Sequence, residues 1–339
     1  MSRFLPLLLI FISACQSTSK RGEKPSARPD KSLGPQFDDD EVPDAPVPNK
    51  PSDQSSPETP VQSQPEPTAG MPGESVLITS QALEGNPNLP FGPLAMTGGE
   101  ASWIIARDQY VISWNPTTRN PNWVSWKLSL SDLGSIGRQD NFTIDPDLKT
   151  YITQKKSTAK IVASSDYTGS CFDRGHMVAS SDRQASEDDN IPTFHMTNIV
   201  PQTAFNNQRV WKGLEDEARK WLEEGTHQNL WLVSGPVYEK TLHFIDKGVA
   251  IPSATFKLIY SWDENAQDKP FLVKAILVPN MTSNGKLAYE DKVRLCAESK
   301  SGGQIKNEPI LKSMKYDDYQ ATILQIEAAA HIKLPAVAH

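Results

Sequence analysis

Four consecutive residues, Asp173-Arg174-Gly175-His176, bring a carboxylate, a guanidinium, a permissive backbone position and an imidazole together within a chain of 339 residues. That combination suits work on a phosphate. Histidine is the side chain whose unperturbed pKa lets it accept a proton near neutral pH, and arginine presents a fixed, forked donor matched to phosphate oxygens. The glycine between them allows the backbone close to a ligand. Further along come Asn198-Ile199-Val200-Pro201-Gln202 and then Asn206-Asn207-Gln208-Arg209-Val210-Trp211-Lys212-Gly213-Leu214-Glu215, a run rich in side-chain amides that ends on a carboxylate.

Read as Asp-Arg-Gly-His, Asn-x-x-Pro-Gln and Asn-Gln-x-x-Trp-x-x-Leu-Glu, these three segments resemble the DNA/RNA non-specific endonuclease family of the ββα-metal superfold, the endonuclease G-like nucleases. The likeness runs over residues 100–335. Outlying agreements are Asn122-Trp123-Val124-Ser125-Trp126, Gly235-Pro236-Val237-Tyr238, Ile251-Pro252-Ser253 and Ile326-Glu327. The resemblance implies a metal-dependent hydrolase that cuts phosphodiester bonds of DNA and RNA without regard to sequence or sugar, leaving 5′-phosphate ends. By position, His176 is implied as general base and Asn207 as the sole direct protein ligand of Mg²⁺, with Mn²⁺ as a substitute. Glu215 is implied as the carboxylate that orients water around the metal; eight residues on an ideal helix turn it to within about 80° of Asn207. Arg174, counted also with the catalytic residues, and Arg138 and Arg219 are the implied phosphate contacts. Asn198 falls at a position near the histidine, on the substrate side. Asn206 competes with Asn207, but the spacing to Trp211 and Glu215 favours Asn207. Arg209 stands where a glycine is common.

Simpler roles compete with some of these. Asparagine is a favoured helix cap, so Asn207 also fits an N-cap. Glu215 and Arg219 have the spacing of a surface ion pair. His195, His227, His243, His331 and His339 lack catalytic company, and Trp211 and Trp221 sit at the spacing of core residues. No CxxC pair exists, which excludes a zinc finger, and the surroundings of His176 exclude a cysteine protease built from Cys171. The rival function is a catalytically inactive surface nucleic-acid-binding protein or adhesin on the same fold, because a fold does not guarantee an activity.

The elements that must carry these residues read as an α+β domain over residues 85–339, with a central antiparallel sheet, packed helices and a ββα-metal motif. Strand-like runs rich in β-branched and aromatic residues occur at Tyr110–Trp114, Trp123–Leu130, Leu230–Ser234, Ala254–Trp262 and Phe271–Val278. The spacing of Val210, Trp211, Leu214, Ala218, Trp221 and Leu222 predicts an amphipathic helix from about Asn206 to Glu224, stopped by Gly225. A second helix is predicted over Asp317–Ala330.

Ahead of that domain the composition changes twice. Residues 1–14 combine a basic residue with an apolar run too short to span a bilayer, and Ile12-Ser13-Ala14-Cys15 resembles a bacterial lipobox. That resemblance implies export, lipidation of Cys15 and a membrane anchor, in the outer membrane or on the cell surface. Residues 15–84 are dominated by Pro, Ser, Glu, Asp and Gln, too poor in apolar surface to offset the entropy of ordering, and read as a tether with a reach of roughly 50 Å. The Asp38-Asp39-Asp40-Glu41 cluster reads as a solvated acidic patch. With the 7 basic and 12 acidic residues of residues 1–84 set aside, 27 basic and 29 acidic residues remain, so the folded part is nearly neutral. Nucleic-acid binding would therefore depend on a local basic groove. Cys171 and Cys296 are either a disulfide or two separate thiols, and the resemblance accommodates both a monomer and a homodimer.

Overall fold

The computed structural model describes residues 75–262, 270–300 and 315–334. Cys15, the signal segment, the acidic cluster and the tether up to residue 74 lie outside them. Among the described residues the strands are β1 (Ser75–Leu77), β2 (Ala95–Met96), β3 (Ser102–Ala106), β4 (Val111–Asn115), β5 (Asn120–Ser129), β6 (Asp173–His176) and β7 (Ile199–Gln202), followed by β8 (Asn229–Val237), β9 (His243–Phe244), β10 (Ala250–Ile251), β11 (Ala254–Ser261), β12 (Phe271–Pro279) and β13 (Ile332–Lys333). The α-helices are α1 (Pro146–Lys155), α2 (Glu187–Asn190), α3 (Lys212–Glu223), α4 (Lys292–Lys300) and α5 (Ile323–Ala330).

A seven-stranded sheet in the order β1-β3-β4-β5-β8-β11-β12 forms the centre, antiparallel throughout except for the β1–β3 pair. The fold class is α+β, as expected. Side chains alternate across the sheet with period two, and here both faces are covered, so apolar residues appear at both parities. Trp103, Ile105, Ile112, Trp114, Val124, Trp126, Leu230, Leu232 and Ile259 face one side and pack against Leu148 and Ile152 of α1 and Leu214, Ala218 and Leu222 of α3. Ile104, Val111, Trp123, Trp231, Val233, Phe256, Leu258 and Tyr260 face the other and pack against Leu89, Leu94, Ile326 of α5 and Leu334. The site residues lie with the first of these layers.

Two sequence boundaries move, and one helix keeps its bounds but not its hydrogen bonding throughout. The fold begins before residue 85, because Ser75–Leu77 pairs with Ser102–Ile104, and Val76 and Ile78 pack on the core. The short Val76-Leu77-Ile78 run is hidden by the polar composition around it. The helix expected from Asp317 starts instead at Ile323: Tyr316–Tyr319 is a single 3₁₀ turn, and Thr322 caps α5 by accepting from Gln325 N while Thr322 N donates to Gln325 Oε1. The helix expected from Asn206 is present, but its first part, Asn206–Trp211, has π-helical hydrogen bonding before it settles into α3. Gly225, at φ +70°, ends it.

Candidate active site

Strands β6 and β7 pair antiparallel, with Asp173 opposite Gln202 and His176 opposite Ile199, and the π-turn and α3 follow directly. This is a ββα unit. The helix is tied to β6 at two points: Asn207 Nδ2 and Gln208 Nε2 both donate to Asp173 Oδ2 at 2.9 Å, and Trp211 Nε1 donates to the His176 carbonyl at 3.1 Å. Helix and strand are therefore held in fixed register. Gly175 serves the fold here and not a ligand, because a Cβ at that position would overlap the Gln202 side chain. Gln202 Nε2 in turn donates to Asn206 Oδ1, and Asn206 Nδ2 donates to Thr255 on β11. Asn206 is fully buried and both ends of its amide are engaged. The adjacent Asn207 is only partly buried, its Oδ1 takes no hydrogen bond from the described residues, and that oxygen is open to solvent.

His176 is buried at the end of β6. Its ring meets Phe194 edge-on at 5.0 Å between centroids and Phe142 at 5.4 Å. Those two aromatics are positioned by a short loop pairing, in which Thr143 N donates to the Phe194 carbonyl and Met196 N to the Thr143 carbonyl. Asp145 anchors the loop: it caps α1 through Asp147 N and Leu148 N, accepts from Thr197, and is ion-paired with Arg107. Arg174 lies over the Phe142 ring at 5.3 Å and Arg138 over the Phe194 ring at 5.4 Å, so a guanidinium stands on each aromatic that touches the histidine. Burial, reinforced by the positive charge of Arg138, pushes the His176 imidazole down to about 3, against a hydrogen bond with the Arg174 backbone that favours the proton. The ring is thus neutral at physiological pH, and Nε2 has no hydrogen-bond partner.

Glu215 lies on α3 facing the sheet. Its Oε1 accepts from Lys257 Nζ at 3.0 Å, and Lys257 is fully buried on β11. Glu215 Oε2 takes no bond from the described residues and is open to solvent. Burial pushes the Glu215 carboxyl upward, and Lys257 opposes that rise. Among the described residues no three His, Cys, Asp or Glu side chains gather in the manner of a metal cage. The free oxygens of Asn207 and Glu215, one at the start of the helix and one two turns along, fit a hard cation that takes an amide oxygen and retains most of its water.

The structure brings His176, Arg174 and Arg138 together around Phe142 and Phe194, and Asn207 against Asp173 on the same strand. The side chains of two further expected substrate contacts are engaged within the protein. Asn198 is fully buried, its amide spent on the backbone of Val178 and Thr193, where it fixes the turn after His176. Arg219 is held by Asp182 at 2.7 Å and Asp216 at 2.6 Å, and the residue three positions away is its helical partner instead of Glu215. Sequence reading missed Phe194 and Lys257 as parts of the site; a lone aromatic and a lone lysine carry no local signal, because their relevance arises from contacts with distant elements. Cys171 and Cys296 form a disulfide, Cα–Cα 4.8 Å, linking the approach to β6 with α4.

Comparison with known proteins identifies the family of the chain and its fold. The chain is 36% identical over 206 residues to a nuclease of a Nostoc species, covering 60% of this chain and 69% of the relative. It is 32% identical over 171 residues to a nuclease of Serratia marcescens (48% and 60%) and 27% identical over 179 residues to mitochondrial endonuclease G of Bos taurus (50% and 57%), so it spans less than two-thirds of those two proteins. A chain from the crystal structure of the EndoG/EndoGI complex shares the fold, with a TM-score of 0.54 at 19% identity, covering 77% of this chain and 94% of that one. Residues 94–337, which hold the ββα unit and all the side chains described above, match the DNA/RNA non-specific endonuclease family model, and the chain is a nuclease belonging to that family.

Proposed function

We propose that this nuclease hydrolyses phosphodiester bonds in both DNA and RNA, without sequence preference, with His176 as general base and Asn207 as the protein ligand of one Mg²⁺. The observation that carries this reading is an imidazole whose Nε2 has no protein partner, packed against two aromatic rings that each carry an arginine, on the strand whose first residue holds Asn207. A neutral His176 can take the proton of the attacking water without first losing one of its own. Arg174 and Arg138 would bind the phosphate oxygens and offset their charge, and such contacts carry no base information. Phe142 and Phe194 hold the imidazole in one orientation and limit its solvation. Bound Mg²⁺ would supply Lewis-acid stabilisation of the leaving 3′ oxygen, so that 5′-phosphate ends result. Glu215 Oε2 would orient water around the ion.

The test is cleavage of plasmid DNA and of RNA by the full chain with Mg²⁺, with EDTA, and after His176→Ala. Both polymers are expected to be cut in a metal-dependent way, and the substitution to lower kcat by roughly 10²- to 10⁴-fold. A folded wild-type protein that binds DNA with Mg²⁺ present yet leaves it intact would establish the binding-protein alternative. We also propose, from the lipobox-like segment alone, that the chain is exported and anchored through lipidated Cys15. Incorporation of labelled fatty acid, lost in Cys15→Ser, is the expected result; undiminished labelling of the variant would refute it.

A further inference from the structure

Lys257 occupies the middle of β11, on the face of the sheet shared with Thr255 and Ile259, and its side chain is fully buried. A sheet core does not call for a charge at such a position. Removing an ammonium from water is costly unless it is paired and hydrogen-bonded, and deleting one partner leaves the other uncompensated. The surroundings of Lys257 meet that cost with an unusual set of groups. Nζ donates to Glu215 Oε1 at 3.0 Å, and it lies 4.2 Å from the ring centroid of Trp211 and 5.7 Å from that of Trp126. Both indole faces attract a cation.

The two indoles are themselves fixed. Trp211 Nε1 donates to the His176 carbonyl at 3.1 Å, and Trp126 Nε1 donates to Asp182 Oδ2 at 3.2 Å. Asp182 Oδ1 in turn accepts from Arg219, the next acidic or basic neighbour of Glu215 along the same face of α3. Glu215 is therefore gripped from the sheet side through Oε1 alone, while Oε2 remains open to solvent and unbonded to the protein. A carboxylate in the same place without the lysine would have no donor to select one oxygen, and only Arg219, which is itself engaged by Asp182 and Asp216, to offset its burial.

We propose that Lys257 is a positioning residue: its ammonium, clamped between Trp126 and Trp211, fixes Glu215 so that Oε2 stays available to water around the ion at Asn207. This rests on the reading of Asn207 as the metal ligand. The link passes through Glu215, and Lys257 itself touches neither substrate nor ion. The same indole of Trp211 that faces Lys257 holds the backbone of His176, so the buried cation is braced against both halves of the site.

The experiment measures Mn²⁺ binding to the metal-free full chain by electron paramagnetic resonance, with thermal unfolding and steady-state cleavage of DNA alongside. It compares wild type, Lys257→Met, Lys257→Arg, Glu215→Gln and the double variant Lys257→Met/Glu215→Gln. Lys257→Met and Glu215→Gln are each expected to weaken Mn²⁺ binding by about ten- to a hundredfold, the usual effect of losing an outer-shell partner. The corresponding kcat should fall while KM for DNA stays within about twofold, and the double variant should bind Mn²⁺ no worse than Glu215→Gln. Lys257→Arg keeps the charge but moves it, and is expected to fold and to lose Mn²⁺ affinity by a smaller factor. Wild-type Mn²⁺ affinity in Lys257→Met, or a double variant whose loss is the product of the two single losses, would overturn the proposal. Should Lys257→Met fail to fold, Lys257→Arg decides, and wild-type Mn²⁺ affinity with wild-type kcat in that variant overturns it. A wild-type chain that cuts DNA but gives Lys257 variants with unaltered metal binding leaves the nuclease reading standing. A wild-type chain that neither binds Mn²⁺ nor cuts removes that reading and this proposal with it.

Discussion

His176 shows how burial decides the state of a catalytic group. With its imidazole pushed down to about 3, the native protein refuses a proton that the unfolded chain accepts below its ordinary pKa of 6.5. Between these two values the unfolded state binds more protons, so stability falls as pH is lowered from 6.5 toward 3, by at most about 1.4 kcal/mol per pH unit from this residue. Two consequences follow at the level of the residue. The His176 ring resonances, followed by NMR in the metal-free protein, should show no protonation on acidification from pH 7 to pH 5, and the acid limb of kcat/KM should not fall at 6.5. A ring that titrates near 6.5 would mean that water reaches it freely. The residue scale also resolves the doubled asparagine: Asn206 is consumed by Gln202 and Thr255, which leaves Asn207 as the amide with a free oxygen.

At the scale of elements, the ββα unit depends on close contact between β6, β7 and the helix that follows. Gly175 is the tightest point, since any side chain there meets Gln202, which is bonded onward to Asn206 and through it to β11. Gly175→Ala should destabilise the protein by about 1–3 kcal/mol, as overpacking does, and lower cleavage because the displaced Gln202 disturbs the start of the helix. Thermal unfolding with parallel activity measurements checks this, and an unchanged Tm would show that Gln202 can step aside at no cost. Most of this unit is legible in the sequence, because its residues are close along the chain and the apolar stripe of α3 is strongly periodic. The π-turn at Asn206–Trp211 is not, since π- and α-hydrogen bonding differ in which carbonyl is reached and leave the same residue types in place. Likewise β3, whose five residues are all buried, shows no alternation from which a strand could be read.

For the whole molecule, the disulfide between Cys171 and Cys296 closes 125 residues of chain and fixes the approach to β6 against α4. Its removal, by reduction or by Cys296→Ser, is expected to cost about 2–5 kcal/mol. In a domain of this size that corresponds to a Tm lower by roughly 5–15 °C. Calorimetry with and without reductant measures it, and an identical Tm would place the stabilisation of this region elsewhere. The bond also accords with an oxidising compartment, the setting that export would provide.

The sequence by itself determined the family, the α+β class, the positions of five of the strands and the helix that carries Asn207, because each of these rests on local periodicity or on motifs written in consecutive residues. It also singled out His176, Arg174 and Asn207, because each stands in a motif of consecutive residues. The tertiary structure alone decided what surrounds them. Phe194 and Arg138 approach His176 from separate loops, Lys257 reaches Glu215 from a strand 42 residues away, Asn198 and Arg219 are drawn into backbone and ion-pair contacts, and Cys296 meets Cys171 across 125 residues. Burial and pairing are properties of what the folded chain places on all sides of a group, and spacing along one segment carries no record of them.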